Sequence, residues 1–76
     1  MTADAVAADA VAVVVNGAPR RIARGTTLAA LVAQLAGEAR GVAVAVDREV
    51  VPRAAWDGVV VEQGANVEVV TAAAGG

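Results

Sequence analysis

The chain has 76 residues, of which 58% are hydrophobic and 1% aromatic, and its six arginines and eight acidic residues give a net charge of −2. This length fits one small domain, and the absence of Cys and His excludes disulfides, thiol or imidazole catalysis and Cys/His zinc sites. The charge balance also argues against nucleic-acid binding, which needs a basic surface.

The N-terminal ten residues carry no regular pattern. Residues 1–10 show neither a helical stripe nor a bounded strand, so we predict a mobile arm, with one turn of Ala-rich helix as the alternative. A signal peptide is not expected, because the segment lacks a basic start and contains Asp4 and Asp9. The apolar runs along the chain are shorter than the roughly 20 residues that span a bilayer. We therefore expect a cytoplasmic protein without a membrane partner.

The first predicted unit is a β-hairpin. Residues 11–15 (VAVVV) are rich in β-branched side chains, which favour a strand. They lead into residues 16–19 (NGAP), where Asn-Gly favours positive φ and Pro fixes φ at about −65°. We predict a turn over these four residues and a short returning strand at residues 20–23, with Ile22 as its one large apolar side chain.

A helix is predicted next, over residues 27–36. A Thr hydroxyl can cap its start, and Gly37 ends it. Apolar residues recur there at helical spacing, at Leu28, Leu31, Val32 and Leu35. Because all three leucines of the chain lie in this stripe, the helix is predicted to supply the core with most of its volume.

One further strand is predicted before the middle of the chain gives way to irregular structure. Residues 42–46 (VAVAV) alternate with the period of two that a strand has, and a polar turn follows at residues 47–49. Pro52 cannot donate to a central ladder, so Val50 and Val51 are predicted to lie at a sheet edge or a strand end. The stretch after Pro52 holds Arg53 and Trp56 and is predicted to be irregular.

The last predicted strand is residues 67–71 (VEVVT), after a turn at residues 64–66. Residues 59–61 are predicted to form a short strand or a turn. In the order β-β-α-β-β, the first and last strands are best placed side by side and parallel in the middle of one sheet. The predicted fold class is α+β: a ubiquitin-like β-grasp domain over residues 11–71, with a mixed sheet of four to five strands packed on one main helix.

The chain ends on a tail of small residues, 72–76 (AAAGG), directly after the last strand. A frayed terminus is the simpler interpretation. The alternative is functional, because a terminal Gly-Gly has no Cβ and can thread a narrow channel with its carboxylate open to attack. We favour a flexible tail in which Ala74, Gly75 and Gly76 enter a partner's active site and Gly76 is the group that reacts.

Several short motifs accompany this order of elements: Val14-Val15-Asn16-Gly17, Gly25-Thr26-Thr27-Leu28, the third strand, Val51-Pro52-Arg53 followed by Trp56, and the terminal Gly-Gly. Together they resemble the ThiS family of sulfur carriers of thiamine biosynthesis, over about residues 11–76. The Val-Pro-Arg-x-x-Trp segment is the most specific of them, since Gly-Gly alone fits any ubiquitin-like carrier.

The resemblance implies a substrate of other enzymes rather than an enzyme. A ThiF-like adenylating enzyme, using ATP and magnesium, would convert the Gly76 carboxylate to an acyl-adenylate. A sulfur donor such as a cysteine desulfurase would then replace AMP to give a thiocarboxylate, and a ThiG-like thiazole synthase would take its sulfur. The chain itself is expected to bind no cofactor and no metal and to contribute no catalytic residue.

Three other residues, Arg53, Trp56 and Val69, are candidate contacts with a partner. The simpler interpretation makes Trp56 a lid over a core of small residues and Arg53 a solvated charge. Val69 is a candidate because apolar residues on the open face of the sheet, near the tail, can dock on a partner. The arginines at positions 20, 21 and 24 are interpreted as a solvated strand face.

Two alternative functions stay open on the sequence. One is a molybdopterin-type or other sulfur carrier of the same fold. The other is a ubiquitin-like module that binds other proteins or is conjugated to them.

Overall fold

The computed structural model describes residues 9–37 and 41–71. These residues form a mixed five-stranded sheet packed on one α-helix, so the predicted β-grasp fold is confirmed. Residues 1–8 of the predicted arm and the predicted tail at residues 72–76 lie outside the described part. The elements are β1 (Ala10–Val15), β2 (Ala18–Ala23), α1 (Leu28–Ala36), β3 (Val42–Val46), β4 (Glu49–Val50), a 3₁₀ helix (Arg53–Gly58) and β5 (Asn66–Thr71).

The strand order in the sheet is β2-β1-β5-β3-β4. The last strand, β5, therefore lies in the centre, parallel to β1 and antiparallel to β3. This confirms the predicted pairing of the first and last strands. Strands β2 and β4 form the two edges, and the edge position predicted for Val50 is also confirmed.

The hairpin turn is shorter than predicted. It consists of Asn16 and Gly17 alone, with φ angles of 51° and 83°, and β2 already begins at Ala18. Pro19, predicted to belong to the turn, lies within β2, opposite Val14. The Val14 N–H points away from β2 and donates to the Ala65 carbonyl (2.9 Å), so Val14 and Pro19 form a pair without mutual hydrogen bonds. The Pro19 nitrogen therefore faces the free edge of the sheet, where no N–H donor is needed.

Helix α1 ends at Ala36, as the sequence predicts, and begins at Leu28, one residue later than predicted, with Thr27 as its N-cap. The Thr27 side chain accepts a hydrogen bond from the Ala30 N–H (3.1 Å), and Gly37 ends the helix with φ of 60° while its N–H donates to Ala33. Leu28 and Leu31 are fully buried. No helix of the described residues is long and apolar enough to span a membrane.

The segment at residues 59–61 ties the start of α1 to the rest of the domain. It forms neither a full strand nor a turn but a single antiparallel bridge between Val60 and Thr27. Its flanking hydrogen bonds run from the Leu28 N–H to the Val59 carbonyl (2.7 Å) and from the Val61 N–H to the Thr26 carbonyl (2.9 Å). The first of these bonds satisfies a donor at the helix start that has no partner within the helix.

The core lies between α1 and the inward face of the sheet. Valine dominates it, as the composition predicts, and the larger side chains come from α1, β2 and the 3₁₀ helix. Its buried members are Val11, Val13, Val15, Ile22, Leu28, Leu31, Val32, Val44, Trp56, Val61, Ala65 and Val67. Since β5 contributes to this core from the central position in the sheet, the strand that leads to the C-terminus is fixed on both edges and on one face.

Candidate functional site

The candidate site is the C-terminal end of β5 and the tail that follows it. Thr71 is the last residue of β5 and pairs with Val42, the first residue of β3. Ala74, Gly75 and Gly76 lie outside the described residues, so their entry into a partner and the reaction at Gly76 stay predictions. The structure describes the base from which that tail extends.

Two hairpin turns contact the main chain of β5 through polar side chains. Asn16, in the turn after β1, pairs with Val69: the Val69 N–H donates to Oδ1 (2.8 Å) and Nδ2 donates to the Val69 carbonyl (3.2 Å). Asp47, in the turn after β3, accepts from the Asn66 N–H (3.0 Å) and donates its own N–H to the Asn66 carbonyl (2.8 Å). The two turns therefore hold opposite ends of β5.

The face of β5 that is open to solvent carries Val70, not Val69. Val69 follows Val67 on the side of the sheet that faces α1, where it is half-buried against the core. Val70 points the other way and is 62% exposed. The prediction that Val69 lies on the open face is wrong, and the apolar residue in that position near the tail is its neighbour.

The position of Glu68 in β5 is the sequence signal that indicates which valines of the strand face the core. Glu68 stands between Val67 and Val69, and a solvated carboxylate requires the two flanking valines to point inward. Val50, on edge strand β4, is the other strongly exposed valine of the sheet, at 74%. It is paired with Ala45, which lies on the same face as Val70 through the register of β3 with β5.

Trp56 is a packed core residue. It is 7% exposed, and its indole Nε1–H donates to the Val51 carbonyl (2.8 Å). The Arg53 guanidinium lies over the indole, with its Cζ 5.7 Å from the ring centroid, and Arg53 is itself exposed. These contacts agree with the interpretation of Trp56 as a lid, while contact of either residue with a partner stays a prediction.

Arg53 and Trp56 lie at the same end of the sheet as the start of the tail. Both line an open pocket of about 240 Å³ between α1 and the 3₁₀ helix, and Val42 lines it as well. Because Val42 is the strand partner of Thr71, this pocket is one strand away from the end of β5. The structure therefore brings the Val-Pro-Arg-x-x-Trp segment close to the base of the tail, on the helix side of the sheet.

The remaining charged candidates lie apart from this end. Arg20 and Arg21 are exposed on the edge strand β2, where their side chains point to opposite faces, and Arg24 is exposed just beyond the end of the strand. The three arginines are therefore solvated, but they do not share one strand face. Within residues 9–37 and 41–71, no three acidic side chains come close enough together to hold a metal ion.

Comparisons with protein families and with solved structures agree with each other. The family model of the ThiS family matches residues 13–76. The crystal structure of the thiamine biosynthesis protein ThiS from Geobacter metallireducens superimposes with a TM-score of 0.72 and is 31% identical in sequence; the match covers 86% of this chain and 99% of that one. No curated protein sequence matches the chain. Since the family model spans residues 13–76 and the matched structure covers 86% of this chain, the chain belongs to the ThiS family.

Proposed function

We propose that this protein is a sulfur carrier of thiamine biosynthesis and that its reactive group is the carboxylate of Gly76. The observation that carries the proposal is the extent of the family match, which runs to Gly76 itself. The likeness to the thiamine biosynthesis protein of Geobacter metallireducens supports the thiamine branch. The position of β5 adds a physical reason, because the strand before the tail is hydrogen-bonded to neighbours on both edges.

The chemistry assigned to the chain occurs at its main-chain terminus. A carboxylate is a poor electrophile, so a partner enzyme first transfers AMP from ATP to Gly76, with magnesium and with release of diphosphate. The terminal sulfur of a persulfide, the form in which a donor such as a cysteine desulfurase supplies it, then attacks the acyl carbon and expels AMP. A thiol reductant cleaves the S–S bond of the resulting acyl disulfide and becomes oxidised to a disulfide itself. The product is a thiocarboxylate at Gly76, and a thiazole synthase takes the sulfur from it.

The tail suits this role by its small size. Residues 72–76 carry no side chain larger than a methyl group, so the peptide can enter a channel too narrow for branched residues. Ala74 and Gly75 would lie inside that channel, with Gly76 at its inner end. Because β5 is already hydrogen-bonded on both edges, binding to a partner would cost conformational entropy in the tail and not in the strand before it.

The proposal is tested by intact-mass analysis of the purified chain. After incubation with a ThiF-type adenylating enzyme, ATP, magnesium, a sulfur donor and a thiol reductant, we expect a mass gain of about 16 Da, as one oxygen is replaced by sulfur. Omitting ATP is the matched control and should leave the mass unchanged. If a competent thiamine-pathway enzyme gives no gain, the proposal is wrong.

The same preparation separates the alternatives. The thiocarboxylated chain should lose its added mass when it is mixed with thiazole synthase and its other substrates. Loss of sulfur to the large subunit of a molybdopterin synthase instead would indicate the other carrier class. An isopeptide bond to a lysine of another protein would indicate a conjugated modifier.

A further inference from the structure

The parallel ladder between β1 and β5 is extended by a side chain where the main chain leaves it. In a parallel pair, a residue donates its N–H to one residue of the neighbouring strand and accepts, through its carbonyl, from the residue two positions further on. The Val14 N–H donates to Ala65 and the Asn16 N–H donates to Val67, both at 2.9 Å. The next bond of the ladder would join the Asn16 carbonyl to the Val69 N–H.

The chain turns toward β2 at this position, because Asn16 has a φ of 51° and begins the hairpin turn. Its carboxamide takes the place that the main chain gives up. Oδ1 accepts from the Val69 N–H at 2.8 Å, and Nδ2 donates to the Val69 carbonyl at 3.2 Å. The opposite orientation of the amide would set donor against donor and acceptor against acceptor, so this orientation is fixed. Asn16 thus acts as one additional peptide unit of β1.

The contact falls close to the start of the tail, since Val69 is two residues before Thr71, where β5 ends. On the other edge of β5, Val69 stands opposite Val44, whose carbonyl faces away and accepts from the Val51 N–H. Val44 and Val69 therefore form a pair without mutual hydrogen bonds, and Asn16 is the partner of both main-chain polar atoms of Val69. Without Asn16, the C-terminal end of β5 would be hydrogen-bonded to β3 but not to the β1 side. The direction in which the tail leaves the sheet would then be less fixed.

We propose that Asn16 is a positioning residue for the C-terminal tail: its carboxamide bonds both main-chain polar atoms of Val69 and so sets the direction in which the tail leaves the sheet toward a partner's active site. This inference rests on the proposed function. It assigns Asn16 a role beyond turn formation, since glycine can form the same turn but cannot make these two hydrogen bonds.

Asp47 provides a matched control within the same molecule. It also opens a two-residue hairpin turn, with a φ of 52°, and its carboxylate accepts from the Asn66 N–H (3.0 Å). Asn66 is the first residue of β5, at the end away from the tail. Substituting either turn residue by glycine preserves the positive φ and removes a side-chain contact to the same strand.

The contact itself is tested by hydrogen exchange in the isolated chain. In Asn16→Gly, the amide of Val69 should exchange about tenfold faster, since the loss of a typical hydrogen bond shifts a local opening equilibrium by about that factor. The amide of Asn66 should be unaffected, and Asp47→Gly should give the reverse pattern. An unchanged Val69 rate in Asn16→Gly would overturn the inference.

The positioning role is tested by the kinetics of thiocarboxylate formation, at a temperature where all variants are folded. Asn16→Gly should lower kcat about five- to tenfold with KM within about twofold, because a misdirected tail reaches the reactive geometry less often while docking of the domain is retained. Asp47→Gly should leave both constants within about twofold. Equal losses in the two variants would show that the effect follows stability, and would overturn the role.

The two proposals fail in different ways. If the wild-type chain gains no sulfur with a competent partner, the proposed function is wrong and the role of Asn16 falls with it. If the wild type is processed and Asn16→Gly is processed at the same rate, the role of Asn16 alone is wrong.

Discussion

Trp56 contributes the largest side chain to a core built otherwise from valine, leucine, isoleucine and alanine. Its indole lines the pocket between α1 and the 3₁₀ helix, and its N–H has a partner in the Val51 carbonyl. The Arg53 guanidinium covers the ring from the solvent side. The Val-Pro-Arg-x-x-Trp segment is therefore a structural unit in which one residue packs, one covers it, and the main chain before Pro52 accepts the hydrogen bond.

Substitutions of Trp56 and Arg53 separate the contributions of the packed ring and of the covering guanidinium to stability. We expect Trp56→Phe to lower the free energy of unfolding by about 1–2 kcal/mol, since it removes one hydrogen bond and part of the packed ring. Arg53→Ala should cost less than about 1 kcal/mol, because an exposed cation–π contact is weak. Urea denaturation followed by circular dichroism measures both. If Arg53→Ala costs as much as Trp56→Phe, then Arg53 has a structural role that these contacts do not explain.

Burial of Trp56 could be predicted from the sequence, because a lone aromatic residue in a small domain is normally packed. The contacts of Asn16 could not. The sequence marks Asn16-Gly17 as a turn, but the side chain bonds Val69, 53 positions further along the chain, and this contact exists because β5 lies next to β1. The error at Val69 is of another kind, since the position of Glu68 in the pattern already indicates which valines point inward.

At the scale of elements, α1 is the most predictable part of the chain. Its apolar spacing, its Thr cap and its terminal glycine all agree, and local signals that agree specify an element well. Strand β2 is less predictable, because Pro19 suggests a turn when it is considered alone. A proline is tolerated within an edge strand, and β2 is an edge strand only in the assembled sheet.

The leucine stripe of α1 gives a test at this scale. Leu31 is fully buried, whereas Leu35 is half-buried near the end of the helix. We expect Leu31→Ala to lower the free energy of unfolding by about 2–5 kcal/mol, because it leaves a cavity that the surrounding valines cannot fill. Leu35→Ala should cost less than half as much. Equal costs, measured by chemical denaturation, would contradict the assigned orientation of the helix.

At the scale of the molecule, the central position of β5 connects the fold to the proposed function. The parallel pairing of β1 with β5 is predictable from the order of elements, because parallel first and last strands are placed more easily side by side than at opposite edges of the sheet. Within the part of the chain that the structure describes, the buried core runs from Val11 to Val67. The tail begins at residue 72, beyond the last of these residues, so we expect changes in the tail and changes in stability to be separable.

Removal of the last residue tests this separation. The chain without Gly76 should unfold within about 1 °C of the full chain, since no residue of the buried core described above lies beyond Val67. It should also fail to become thiocarboxylated, because its tail would be one residue too short to reach the partner's reactive centre. Differential scanning calorimetry measures the first property. A large drop in Tm would mean that the tail stabilises the domain.

The most direct test of the account is the position of the sulfur after the reaction. Fragmentation of the intact chain, once it has been treated with ATP, magnesium, the adenylating enzyme, a sulfur donor and a thiol reductant, should find the gain of about 16 Da in the fragment that ends at Gly76. All fragments that end before Gly76 should keep their unmodified masses. A gain at an internal residue, or none with an enzyme that thiocarboxylates another member of the ThiS family, would contradict the assignment of this chain as a carrier that reacts at its terminal carboxylate.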